Sequence, residues 1–201
     1  MKVYIETNFF LELVFEQEQH QWCEYLLALA EAKKIRLLLP AYCLIEPLDK
    51  LTRQGQIRRE LQRTLDAEAR QLSRTASYTV RISQIQDLAN LFAQSTFDEQ
   101  QRFYQYLSRI DQSVEIIPLT AEVILEGKRN ETRYDLGVQD AIVCASIMTH
   151  LRQQDRSQSC FLNRNSRDFD VPNILQELNQ YNCRMIPLFD QGYQFINTRV
   201  T

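Results

Sequence analysis

Short unbroken apolar runs alternate along the chain with longer stretches in which apolar residues recur at helical spacing. Val3-Tyr4-Ile5 is a β-type run that ends on Glu6, Thr7 and Asn8, after which Phe9 to Phe15 turns apolar again. This predicts a central strand handing over to a helix. Trp22 to Ala32 carries a second helical pattern, and Ile35 to Leu39, closed by Pro40, has the continuous apolar character of a fully buried parallel strand. Ala41 to Leu51 returns to helical spacing, where Pro47 predicts a kink or the true helix start.

From Gly55 the composition shifts to Gln and Arg, and Gln56 to Ala76 predicts a long amphipathic helix. At about 100° per residue, Ile57, Leu61, Leu65, Ala69, Leu72 and Ala76 fall on one side, with Arg59, Arg63, Arg70 and Arg74 opposite. Ile82 to Gln94 and Asp98 to Ile110 predict two more helices, with Asp98 as an N-cap. Together these three helices form an expected helical insertion at about residues 55–112.

Strand patterning resumes at Val114 to Pro118, followed by a helix that Thr120 can cap and Gly127 weakens. Val138 to Leu151 contains Ala141 to Met148, apolar nearly all round, which predicts a helix buried in the middle of the domain. Ser159 to Leu162 is a short strand before the polar loop Asn163 to Asp168. A helix behind Pro172 and a last strand at Cys183 to Leu188 follow, while the tail from Phe189 fits no single pattern. Strands alternating with helices imply one α/β domain with a mostly parallel central sheet covered on both faces.

Composition narrows the function. With 201 residues, 44% apolar and 24% charged, the chain has room for one well-packed domain and is not disordered in character. A net charge of -3 supplies no global attraction to nucleic acid, so any such site needs a local basic patch or bound cations. The five scattered cysteines lack CxxC spacing and predict reduced core residues of a cytoplasmic protein. His20 and His150, expected at the surface, are too few for a histidine-rich zinc site. No apolar stretch is long enough to span a membrane, and the four glycines form no phosphate-binding loop.

Four polar positions sit at element junctions: Glu6 with Asn8, Glu46, Asp140, and the Asn165 to Asp168 loop. Taken singly, each has an ordinary explanation: Glu6 as an acid favoured by the helix dipole with Thr7 as the cap, Glu46 as an exposed helix residue before a proline, Asp140 as a cap or first-turn acid, and Asp168 as a turn residue. In order, they resemble the PIN-domain family, the fold of VapC-type ribonucleases. The resemblance lies in Glu6-Thr7-Asn8 ending the first strand, Glu46 after the second, Asp140-Ala141-Ile142-Val143 opening the buried helix, and Asn163-Arg164-Asn165-x-x-Asp168-Phe169 after a later strand. It covers residues 1–53 and 114–189 and leaves out the helical middle.

The resemblance implies a PIN-like three-layer sandwich and an Mg²⁺- or Mn²⁺-dependent endoribonuclease, toxin-like or RNA-processing. Glu6, Glu46 and Asp140 would be the catalytic metal ligands. Asp168 or Asn165 would supply the fourth corner, and Asn8 would support a neighbouring acid or water. It also implies RNA as partner, and room for an antitoxin-like protein and a homodimer. Hard oxygen donors suit such an ion, which also relieves the repulsion between an acidic site and a polyanion. The exposed side of the arginine helix, with Arg59, Arg63, Arg70 and Arg74, is the candidate RNA contact. The family usually has Asp where this chain has Glu6, and the added methylene moves the carboxylate by about 1.5 Å. Pro47 beside Glu46, and Asn163 where Thr or Ser is common, are further departures. The alternative reading is a PIN-like scaffold that binds RNA or protein without cleaving it.

Overall fold

The computed structural model describes residues 1–164 and 169–200. Asn165 and Asp168 lie outside the described residues. The chain divides into two compact units, Met1–Pro47 with Gln105–Thr201, and Leu48–Tyr104.

The first unit is built on five strands: β1 (Lys2–Ile5), β2 (Arg36–Pro40), β3 (Val114–Ile117), β4 (Ser159–Leu162) and β5 (Cys183–Ile186). Their order is β3-β2-β1-β4-β5, and all four pairings are parallel. Helices α1 (Thr7–Phe15) and α2 (His20–Glu31) follow β1, and α5 (Ala121–Tyr134) and α6 (Val138–Gln153) connect β3 to β4. Helix α7 (Pro172–Gln180) precedes β5 and α8 (Phe189–Val200) closes the chain. Strand order grows outward from β1 in one direction to β3 and in the other to β5. With right-handed crossovers this puts α1 and α2 on one face of the sheet and α5, α6 and α7 on the other. Helix α8 packs against α2, and α5 against α6. The direction in which successive strands are added reverses between β1 and β4, so the crevice of this sheet opens at the carboxyl end of β1.

All four residues of β1 are buried, as are those of β4, which explains their unbroken apolar runs. The core is rich in rings: Phe9 meets Phe189 edge to face at 5.5 Å, and Phe161 meets Phe169 at 5.4 Å. All five cysteines are free and buried. His150 departs from its expected surface position: its side chain is 10% exposed, and Nδ1 lies 2.9 Å from the Tyr4 hydroxyl. Burial therefore pushes its pKa down.

The second unit differs from the expected three helices. A 3-10 turn (Ala41–Leu44) leads into α3 (Ile45–Leu72), a further one (Ala76–Arg81) follows, and α4 (Ile82–Ser113) is continuous. Asp98 is no N-cap; its Oδ1 accepts from Gln94 Nε2 at 2.7 Å along an unbroken helix. Ile57 and Leu61 are 57% and 42% exposed. One row of covered positions in α3 is instead Leu51, Gly55, Arg58, Gln62, Leu65, Ala69 and Leu72, and one in α4 is Ile82, Ile85, Ala89, Phe92, Thr96, Glu99 and Phe103. Steps alternate between three and four residues, the seam of an antiparallel coiled coil. Its centre is ionic: Arg58 Nη1 and Nη2 donate to the two Glu99 carboxylate oxygens at 2.6 and 2.9 Å. The seam runs through Gly55, Arg58 and Gln62, so the apolar periodicity of α3 pointed to a neighbouring stripe.

Candidate functional site

Glu6 ends the central strand and serves as the N-cap of α1 with extended backbone, its Oε2 accepting the Asn8 N–H at 2.8 Å. The glutamate itself, rather than Thr7, supplies the cap. Its side chain lies in a buried setting, 5% exposed, and Oε1 has no hydrogen-bond partner of ordinary geometry. Burial pushes its pKa up to about 7; the Asn8 backbone and side chain and the Arg164 backbone N–H oppose that rise, and the Glu46 charge adds to it.

Glu46 is half-buried in the first turn of α3. Pro47 follows within that turn, where a missing N–H leaves no helical bond unmade, so the helix starts here without a kink. Asp140 is half-buried in the first turn of α6. Glu6, Glu46, Asp140 and Asn8 line one cavity of about 160 Å³, together with Thr7, Gln139, Val143 and Phe169. Three helix N-termini thus deliver three acids to the carboxyl edge of the sheet, where the helix dipoles favour negative charge.

Gln139 escaped the sequence reading, and Thr7 entered it only within the strand-end motif, because nothing distinguishes them from other first-turn polar residues. Asn163, 1% exposed, stands next to Glu6 by register, since Ile5 pairs with Leu162. Arg59, Arg63, Arg70 and Arg74 belong to the other unit; all four are exposed, and among the described residues none is in a salt bridge.

Among the described residues, no group of three or more His, Cys, Asp or Glu side chains is arranged to hold a metal ion. The donor chemistry nonetheless fits a hard divalent cation. Mg²⁺ needs only one or two carboxylates beside water and substrate phosphate, and the buried, unpartnered Glu6 Oε1 is a free acceptor of that kind. A larger cleft of about 430 Å³, lined by Arg133, Arg152, Glu177 and Tyr181 among others, offers no comparable chemistry. There Glu177 is already satisfied by the Tyr134 hydroxyl at 2.6 Å and Arg152 at 2.7 Å. Among the described residues no helix is long and apolar enough to cross a membrane.

A family model described as a PIN domain matches residues 3–169. Among solved structures, the chain is similar to the crystal structure of VapBC2 from Rickettsia felis bound to a DNA fragment from their promoter. The identity is 14%, the match covers 92% of this chain and 98% of that one, and the TM-score is 0.46. No curated protein sequence matches.

Proposed function

The chain belongs to the PIN-domain family, and we propose that it is an Mg²⁺- or Mn²⁺-dependent endoribonuclease, toxin-like or RNA-processing, that works in a reducing, cytoplasmic setting. The carrying observation is that Glu6, Glu46 and Asp140 line one small cavity in which a buried Glu6 oxygen has no partner.

Glu6, Glu46 and Asp140 would hold the ion, with Asp168 or Asn165, both outside the described residues, as the expected fourth ligand. When bound, such an ion lowers the pKa of its water and stabilises charge on the scissile phosphate. Asn8 fixes the Glu6 carboxylate through its N–H, so one oxygen is anchored and the other is left for the cation. The narrow cavity admits an ion and a phosphate oxygen rather than a base, so substrate is held elsewhere. The exposed arginines of α3, none in a salt bridge among the described residues, supply contacts to the RNA backbone.

A second reading, a scaffold that binds RNA without cleaving it, is favoured by the lack of a ready-made group of three metal-binding side chains among the described residues. Mn²⁺ titration by calorimetry and cleavage of a mixed RNA pool separate the two. The nuclease binds Mn²⁺ and cleaves, and Asp140→Asn loses cleavage while remaining folded. RNA binding without Mn²⁺ uptake establishes the scaffold, and cleavage unchanged in Asp140→Asn removes the assignment of that residue.

A further inference from the structure

Arg164 leaves the sheet two residues after β4, alongside the end of β1, where Ile5 pairs with Leu162. Its guanidinium does not face the acid-lined cavity; it is not among the residues that line it. It turns instead to α1 and the turn that follows. Nη1 is ion-paired with Glu12 Oε1. Nη2 donates to Glu18 Oε2 at 3.0 Å, and Nη1 lies 3.5 Å from Gln17 Oε1.

Glu12 is the informative partner. It sits in the middle of α1 with 0% exposure, and its other oxygen accepts the Gln19 N–H at 2.7 Å. A carboxylate so deeply buried persists in charged form only with a cation beside it. Arg164 is the one cation paired with it among the described residues. Glu12 thereby locks the side chain of Arg164 in place, while the backbone N–H of the same residue is turned toward the Glu6 carboxylate. A residue whose side chain is fixed by α1 and whose main chain meets the cap of α1 ties the exit of β4 to the exit of β1.

We infer that Arg164 is a positioning residue for the Glu6 corner of the site, held in register by the buried carboxylate of Glu12. The inference rests on the proposed metal site for its consequence, though not for its geometry. Outer partners of metal ligands typically change metal affinity or activity by about 10- to 100-fold when removed. The pair orients a ligand and touches neither substrate nor ion, so its loss acts on the ion and on turnover before it acts on RNA binding.

The test uses the full chain as wild type, Arg164→Met, Arg164→Lys, and the double variant Arg164→Met with Glu12→Gln. The double variant removes both charges and so relieves the unpaired buried carboxylate that could unfold Arg164→Met. Three measurements are made: Mn²⁺ affinity by calorimetry, kcat and KM for RNA, and hydrogen exchange of the Asn8 amide, which is bonded to Glu6. Positioning predicts that the double variant regains the thermal stability of wild type, yet binds Mn²⁺ about tenfold or more weakly. Its kcat falls at unchanged KM, and its Asn8 amide exchanges faster; Arg164→Lys recovers part of each effect. A double variant that regains Mn²⁺ affinity and Asn8 protection together with stability reduces the pair to a structural one and overturns the inference. If wild type takes up no Mn²⁺, the metal reading fails by itself, and faster Asn8 exchange in the double variant still decides for positioning, as unchanged exchange decides against it.

Discussion

The sharpest consequence of the site geometry concerns Glu6→Gln in the metal-free protein. Glu6 is 5% exposed, and one carboxylate oxygen has no partner. Burial raises its pKa from 4.5 to about 7, so the folded state holds this proton more tightly than the unfolded chain does. Below pH 4.5 the group is protonated in both states and costs nothing. As pH rises from 4.5 to 7 the unfolded chain ionises first, stability falls, and above pH 7 the full penalty is present. At 1.36 kcal/mol per pKa unit the penalty is about 3 kcal/mol. A glutamine keeps an oxygen for the Asn8 N–H and carries no charge, so Glu6→Gln stabilises the protein by about 2–3 kcal/mol at pH 8 and changes little at pH 4. Urea unfolding of both proteins at the two pH values, with EDTA, measures the difference directly, because other titrating groups cancel in the comparison. Without EDTA, Mn²⁺ at a free concentration c well above its Kd then stabilises wild type by RT ln(1 + c/Kd), while Glu6→Gln gains much less. Equal stability of the two proteins at pH 8, or a variant less stable than wild type there, would refute the buried, uncompensated charge.

The remaining expectations concern the two units separately. Glu99→Leu leaves the Arg58 guanidinium unpaired in the α3–α4 seam and costs about 3 kcal/mol, whereas Arg58→Met with Glu99→Leu recovers most of it; denaturant unfolding followed by helical circular dichroism distinguishes the two. Gly127→Ala would set a Cβ 3.0 Å from Ile142 Cγ1 and 3.2 Å from its Cα, so overpacking of about 1–3 kcal/mol outweighs the gain in helix propensity and the melting temperature falls. Arg63→Glu with Arg70→Glu weakens RNA binding and flattens its salt dependence by about one unit of slope per lost phosphate contact, read from affinities at several salt concentrations.

Sequence and structure agree where one physical signal dominates. The strands were legible because β1, β2 and β4 are almost wholly buried, which leaves apolar runs with nothing to confuse them. The acids were legible because each opens a helix, a position where polar residues interrupt an apolar stretch. The α3–α4 seam was not legible: its spacing is heptad-like, but Gly55, Arg58 and Gln62 stand where apolar residues are expected, and exposed Ile57 and Leu61 imitate the missing stripe. Helix α8 was hidden for another reason. Its N-terminus is capped from far away in sequence, by Gln19 Oε1 accepting the Phe189 and Asp190 N–H groups at 2.9 and 3.2 Å. Its Gly192, a usual helix weakener, permits close packing on Leu162, where a Cβ would come within 2.6 Å.

The ordinary and the proposed functional explanations of the acids do not exclude each other. Glu6 is itself the N-cap where Thr7 was the ordinary candidate, Glu46 is a half-buried first-turn residue where an exposed helix position was the ordinary reading, and Asp140 is a first-turn acid as its ordinary reading has it. Those roles are also what makes the cluster affordable: each carboxylate sits where a helix dipole favours negative charge, so three of them can share a cavity of about 160 Å³ at reduced mutual cost. A glutamate at the cap sharpens the arrangement. Its cap bond uses one oxygen and leaves the other buried without a partner, a state that costs stability and that the proposed cation would relieve. An aspartate would reach the same N–H with a chain about 1.5 Å shorter and would hold its second oxygen closer to the backbone. Glu6→Asp therefore serves as the complement to Glu6→Gln. It retains the charge and the cap while withdrawing the second oxygen, so weaker Mn²⁺ binding without the stability gain of Glu6→Gln would assign the free oxygen, rather than the charge alone, to the ion.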